Sequence, residues 1–177
     1  MSNAPTTLET RPAAGAPAAG APATHPADET AIRAMLEDWL AAVRERDLDR
    51  ICAHYDPEVV AYDAITHLRL SGVDAYRRHW QDCLAMCDGP MNFRFRDLTI
   101  AACGDVAFGH ALVDCGGTGP DGKEESHWTR MSAGYRKREG GWRIVHEHFS
   151  APFDVQTMKV LYLAPQEAEL RHPPSGR

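Results

Sequence analysis

Two histidines lie two residues apart near the end of the sequence, in the segment GGWRIVHEHFSAP at residues 140–152. Its aromatic and β-branched residues predict a strand, whose side chains alternate between two faces. One face then carries a hydroxyl and two imidazoles beside apolar side chains: Trp142, Ile144, His146, His148 and Ser150. Because imidazole exchanges protons near neutral pH, the two histidines could orient a ligand carbonyl or relay protons. The alternative is a packed pair that bonds to the backbone or to Ser150.

Asp63 is the carboxylate that we expect to act together with this pair. It ends a β-rich segment at residues 59–63. A metal bound by both histidines and by His110 or His127 is the alternative, since both side chains of a His-x-His strand point the same way. No acidic ligand has a fixed spacing, so we predict neither a metal nor a cofactor.

The strand before the last one predicts further ligand contacts. Arg130 and Ser132 share a face by alternation, and an arginine inside a cavity would bind a ligand carboxylate. A surface ion pair, for instance with Glu147, is the alternative for Arg130. His127 has the opposite parity and ranks lower. Four side chains from elsewhere are also expected to contact the ligand: Tyr62, Trp80, His110 and Ser150. Core packing is the alternative for Trp80 and His110.

The elements that must position these residues can be read from hydrophobic periodicity. Apolar residues at helical spacing predict a first helix from Asp28, its cap, to about residue 46, and a shorter second helix. A strand at 59–63, a short return strand and a third helix capped by Ser71 follow. From residue 91 onward, alternating residues predict a four-strand antiparallel meander. The glycine-rich residues 116–122 lie between two strands, which does not suit a phosphate site at a helix N-terminus.

Composition limits the organisation and the partners. Residues 1–27 are rich in Ala and Pro and predict a disordered tail, and residues 155–177 predict a partly disordered extension. The net charge of −6, without a basic cluster, argues against nucleic acid. No apolar run is long enough for a membrane span, and no secretory signal is evident. The odd count of five cysteines indicates reduced thiols in a cytoplasmic protein.

The last two strands also carry a family resemblance, in Arg130-Met131-Ser132, Tyr135-Arg136-Lys137 and residues 140–152. Together with the element order, they resemble the nuclear transport factor 2-like superfamily, which includes SnoaL-like and ketosteroid isomerase-like proteins. They are also similar to the association domain of calcium/calmodulin-dependent kinase II. The resemblance implies an α+β fold over residues 28–154: a cone-shaped, curved antiparallel sheet with three N-terminal helices on its concave face. It also suggests a homodimer.

The isomerase chemistry of that superfamily can be compared position by position. Asp63 stands where the resemblance places the general base, and we expect it to act as one, with its pKa raised by an apolar pocket and with His146 and His148 as proton donors. Trp39 stands where it places a tyrosine, and Ala133 near the position of a protonated carboxylic acid. We therefore do not expect ketosteroid isomerase activity. We expect a SnoaL-like domain that binds a small apolar or weakly acidic molecule, with acid–base chemistry of an isomerase, cyclase or lyase type. The alternative is a non-catalytic ligand-sensing or oligomerisation module.

Overall fold

A computed structural model describes residues 25–87, 89, 91–119 and 121–161. The three helices are α1 (Pro26–Glu45), α2 (Leu48–Ala53) and α3 (Val73–Ala85). The eight strands are β1 (Tyr55–Tyr62), β2 (Leu70–Ser71), β3 (Met91–Cys103), β4 (Val106–Thr118), β5 (Glu124–Arg138), β6 (Gly141–Ser150), β7 (Phe153–Asp154) and β8 (Lys159–Val160). Nearly all of the predicted disordered tail, up to residue 24, and residues 162–177 of the predicted extension lie outside the described residues.

Six of the strands form one sheet in the order β2-β1-β6-β5-β4-β3. The strands β3 to β6 pair antiparallel in sequence order, as the meander prediction requires. The strand β1 differs, because it runs parallel to β6 and antiparallel only to the short β2. The helices pack on one face of this curved sheet, so the predicted α+β architecture is confirmed.

The first helix owes its position to an apolar stripe that is buried against the sheet, formed by Ile32, Leu36, Trp39 and Val43. The helix begins at Pro26, two residues before the predicted cap. Asp28 lies in the first turn and accepts bonds from Lys137 Nζ at 2.8 Å and Trp142 Nε1 at 3.3 Å. The third helix likewise has Gly72 rather than Ser71 at its N-cap.

The left-handed conformation of Arg46, with φ of 61°, ends the first helix. Its guanidinium donates to the carbonyl oxygens of Leu84 and Gly89, both at 2.7 Å, and of Cys87 at 2.8 Å. These carbonyls lie at and beyond the end of α3, where a helix leaves its last C=O groups without partners. Arg46 therefore joins the ends of the two long helices.

A β-bulge in β6 determines which side chains of that strand face the helices. Gly134 pairs with His146 and Tyr135 pairs with Ile144, so Val145 is an extra residue in the ladder. Trp142 and Ile144 are buried before the bulge, whereas Glu147 and Phe149 are buried after it. The prediction of one shared face for Trp142, Ile144 and both histidines is therefore wrong, because one inserted residue reverses the alternation.

Candidate functional site

A cavity of about 180 Å³ lies on the helix-covered side of the sheet, between the end of α3 and strands β3 to β6. Its lining is mainly apolar and contains three thiols, two imidazoles and one carboxyl group: Asp63, Ala64, Ile65, His79, Trp80, Cys83, Met86, Cys87, Met91, Phe93, Cys115, Gly116, His127, Thr129 and Phe149. A Cβ atom on Gly116 would lie 1.9 Å from the carbonyl oxygen of Glu125, so the close approach of β4 and β5 at this wall requires glycine.

Asp63 and His79 form an ion pair on the wall of this cavity. Asp63 follows β1, and its Oδ1 accepts from the backbone N–H of Ile65 at 2.9 Å. Its Oδ2 lies 3.2 Å from Nε2 of His79, a residue of α3 whose side chain is only 4% exposed. The hydrogen bond to Asp63 is the main cause that raises the pKa of His79 to about 10, against the opposing effect of burial. At neutral pH the pair is therefore an imidazolium beside a carboxylate.

The face of α3 that carries His79 also supplies its neighbours. Tyr76 lies one turn before it, with the two rings stacked at 5.9 Å and 11° between their planes. Cys83 lies one turn after it, with Sγ at 3.5 Å from His79 Nε2. Trp80 also lines the cavity. The spacing i, i+3, i+4 and i+7 explains why these four side chains share one face.

The opposite wall of the cavity carries a second sulfur and imidazole pair. Cys115 Sγ on β4 lies 3.8 Å from Nε2 of His127 on β5 and 3.7 Å from the His127 carbonyl oxygen. Burial raises the pKa of the Cys115 thiol to about 11, so it stays protonated at neutral pH. The two pairs therefore differ, because a cation adjoins only the sulfur on α3.

A fully enclosed carboxyl group, Glu147, lies behind the cavity and is 1% exposed. Its Oε2 accepts from the hydroxyls of Tyr55 at 2.9 Å and Tyr76 at 2.7 Å, and Tyr55 accepts from Trp39 Nε1 at 3.1 Å. Burial raises the pKa of Glu147 to about 7, although the two tyrosine bonds lower it. Glu147 is the direct cross-strand neighbour of Ala133. The buried carboxyl group at this level of the sheet therefore comes from β6 and not from β5.

The model of the protein family described as "SnoaL-like domain" matches residues 32–154, which is well over half of the chain. The chain belongs to the SnoaL-like domain family. An NTF2-like protein of unknown function from Pseudomonas putida is 43% identical, with a TM-score of 0.74 over 81% of this chain and all of that one. No curated protein matches the chain.

Two more distant structures have the same fold as this SnoaL-like domain. A proposed dehydratase of the NTF2-like family from Streptomyces avermitilis is 17% identical, with a TM-score of 0.63 over 70% of this chain and 95% of that one. A proposed calcium/calmodulin-dependent protein kinase II association domain from Xanthomonas campestris is 21% identical. Its TM-score is 0.65 over 76% of this chain and 96% of that one. The resemblance to this superfamily and to the association domain is thus confirmed.

Most of the sequence-predicted site residues of the SnoaL-like domain lie on the face of the sheet away from the helices. One row of cross-strand neighbours there consists of Tyr62, His148, Ser132 and His110. Arg130 and Ser150 pair in the adjacent row. His146 Nδ1 lies 2.8 Å from the carbonyl oxygen of Val60. Of the predicted site residues, the cavity contains Asp63 and Trp80, and it also contains the lower-ranked His127. The imidazole that pairs with Asp63 in the cavity is thus that of His79, and not that of His146 or His148.

The sequence contained a signal for His79 but none for Glu147. His79 lies at helical spacing from Tyr76 and Cys83, so a search for polar residues on the buried face of α3 would have found it. Glu147 enters the interior only because of the bulge at Val145.

Among the described residues, no three His, Cys, Asp or Glu side chains are arranged to hold a metal ion. In the same part of the chain, no helix is long and apolar enough to cross a membrane.

Proposed function

We propose that this SnoaL-like domain binds a small, largely apolar carbonyl compound in the cavity, and that Asp63 and His79 transfer protons on it. The observation that carries the proposal is an ionic carboxylate–imidazolium pair on the wall of an otherwise mainly apolar cavity. An engineered cavity of about 150 Å³ binds benzene, so the volume of about 180 Å³ suits a ligand with one ring.

The pair supplies both groups that an elimination or an isomerisation needs. The Asp63 carboxylate removes a proton from the carbon next to the carbonyl group, and the His79 imidazolium protonates the departing hydroxyl or the developing enolate. With a β-hydroxy ketone, this yields water and an α,β-unsaturated ketone. The proposed dehydratase among the similar structures supports this lyase form of the reaction as one member of the class.

Deuterium exchange tests the proton transfer without knowledge of the natural substrate. Cyclohexanone in D₂O is followed by NMR with wild type, Asp63→Asn, His79→Gln and His148→Gln. We expect the first two variants to lower the exchange rate by about 10²–10⁴-fold. His148→Gln should match wild type, because His148 lies on the other face of the sheet. Equal rates for wild type and Asp63→Asn would overturn the proposal, as would absence of exchange with this ketone and with 3-hydroxycyclohexanone.

We propose a second function, homodimerisation, for the sheet face away from the helices. Three large side chains on or beside it are unusually exposed: Tyr62 at 40%, Val106 at 52% and Phe108 at 53%. A two-fold dimer that buries them would be self-complementary. Sedimentation equilibrium should give twice the chain mass for wild type and one chain mass for Phe108→Asp. A monomeric wild type would refute the pairing.

All five cysteines are free, which supports a reducing compartment, and we propose the cytoplasm.

A further inference from the structure

We propose that Cys83 is a nucleophile that captures small α,β-unsaturated carbonyl compounds by conjugate addition inside the cavity. This reactivity goes beyond proton transfer, because it forms a covalent bond between the chain and its ligand. It uses the same cavity as the proposed function but needs no turnover.

The position of Cys83 supports this role. Its thiol belongs to the cavity lining, and Sγ lies 3.5 Å from Nε2 of His79. Asp63 holds that imidazole in its cationic form through the contact of 3.2 Å. A neighbouring cation stabilises the negative charge that a sulfur carries when it attacks as a nucleophile. The ring nitrogen that faces Asp63 is therefore the same one that contacts the sulfur.

Besides Cys83 and His79, four titratable groups line the cavity, and none of them has the same combination of features. Cys115 lies opposite, beside His127, and burial raises the pKa of its thiol to about 11. Burial also lowers the pKa of His127, which favours its neutral form. Cys87 follows the end of α3, beyond the turn that carries His79. Asp63 is the remaining group, and its Oδ1 is bound by a backbone N–H. The geometry therefore selects Cys83 among the three thiols.

The chemical step is balanced without an oxidant or a further reactant. Sγ of Cys83 forms a bond to the β-carbon, and the π electrons of the C=C bond move toward the carbonyl oxygen to give an enolate. The α-carbon then takes up one proton from the His79 imidazolium, and the neutral imidazole is reprotonated from water, which has received the thiol proton. The net change is the addition of S–H across C=C, and the reverse elimination releases the ligand unchanged.

Cyclohex-2-enone is a suitable probe because it has one ring and is the dehydration product of 3-hydroxycyclohexanone. The full chain is incubated with it, and intact mass and peptide mapping give the number and order of modified cysteines. We expect the first adduct on Cys83, at least about tenfold faster than on the exposed Cys103. Cys83→Ser should lose this adduct, whereas the matched Cys87→Ser should keep it. His79→Gln should slow the addition about tenfold at pH 7.

Modification of Cys103 before Cys83 in the wild-type chain would overturn the inference, and this result does not depend on the folding of any variant. An unchanged rate in His79→Gln would also overturn the role of the imidazolium. The proposed function can fail separately: a wild type that forms the Cys83 adduct without ketone exchange would refute proton transfer alone. Conversely, exchange that persists in Cys83→Ser, without a fast adduct in wild type, would refute the capture alone.

Discussion

Glu147→Gln removes the ionisable group from the buried network of Tyr55, Tyr76 and Trp39 while it keeps a carbonyl oxygen for the tyrosine hydroxyls. In the folded chain the pKa of Glu147 is about 7, compared with the ordinary value of 4.5. The folded state therefore binds a proton that the unfolded state releases over this interval. The free energy of unfolding should fall as the pH rises from 4.5 to 7, and the contribution of Glu147 should not change further with pH above that range.

The magnitude follows from the shift in pKa. Each unit corresponds to 1.36 kcal/mol, so the interval from 4.5 to about 7 gives about 3 kcal/mol. Other groups also titrate, but they are common to wild type and variant. The difference in unfolding free energy between Glu147→Gln and wild type should thus rise by about 3 kcal/mol in favour of the variant between pH 4.5 and pH 8. Any difference in unfolding free energy that the amide of the variant itself adds is the same at every pH and does not alter this change.

Urea unfolding at closely spaced pH values, followed by tryptophan fluorescence, measures this difference. Equal denaturant slopes for the two chains at each pH are the control that both unfold between comparable states. Parallel stability curves for the two chains from pH 4.5 to pH 8 would refute the reasoning. Glu147 would then ionise as easily in the folded chain as in the unfolded one, and its burial would carry no electrostatic cost.

Three further measurements test other parts of the structure. The raised pKa of His79 means that its pair with Asp63 stabilises the fold fully below pH 6.5, and that this contribution is lost as the pH rises through about 10. Asp63→Asn should flatten that part of the stability curve, and an unchanged curve would contradict the ion pair. Gly116→Ala should cost about 1–3 kcal/mol in thermal unfolding, because its Cβ would collide with backbone. The control Gly134→Ala should cost less, since the nearest atom to its Cβ lies at 3.5 Å. Arg46→Ala should lower the free energy of unfolding by about 2–3 kcal/mol, because three carbonyl oxygens lose a charged donor; a loss below measurement error would refute this.

The parts of the fold that were predictable are those with a regular period. The stripe from Ile32 to Val43 and the alternation of β3 to β5 follow from side-chain spacing. The parallel pairing of β1 with β6 is a long-range contact that no local pattern encodes. Asp63 was identified because the family resemblance places a base directly after the first strand. Its partner His79 lies on a separate helix, so their meeting depends on tertiary packing.

The faces of β6 were beyond prediction for a different reason. Strand alternation extends an assignment from one residue to the next, and it fails where the ladder contains an extra residue. Nothing in the residue type of Val145 distinguishes a bulged position from a paired one. Every assignment beyond it was therefore reversed, which moved His146 and His148 outward and Glu147 inward.

The extra residue at Val145 also affects how relatives of this chain can be compared. A homologue that keeps all of these residues but pairs its counterpart of Val145 regularly would place its counterparts of His146 and His148 beneath the helices and its counterpart of Glu147 in the opposite layer. Two chains could then have identical residues in this segment and still differ in which side chains lie beneath the helices. A change of register in this strand, even without an alignment gap, thus changes which side chains lie beneath the helices, and homologues are better sorted by strand register than by percentage identity.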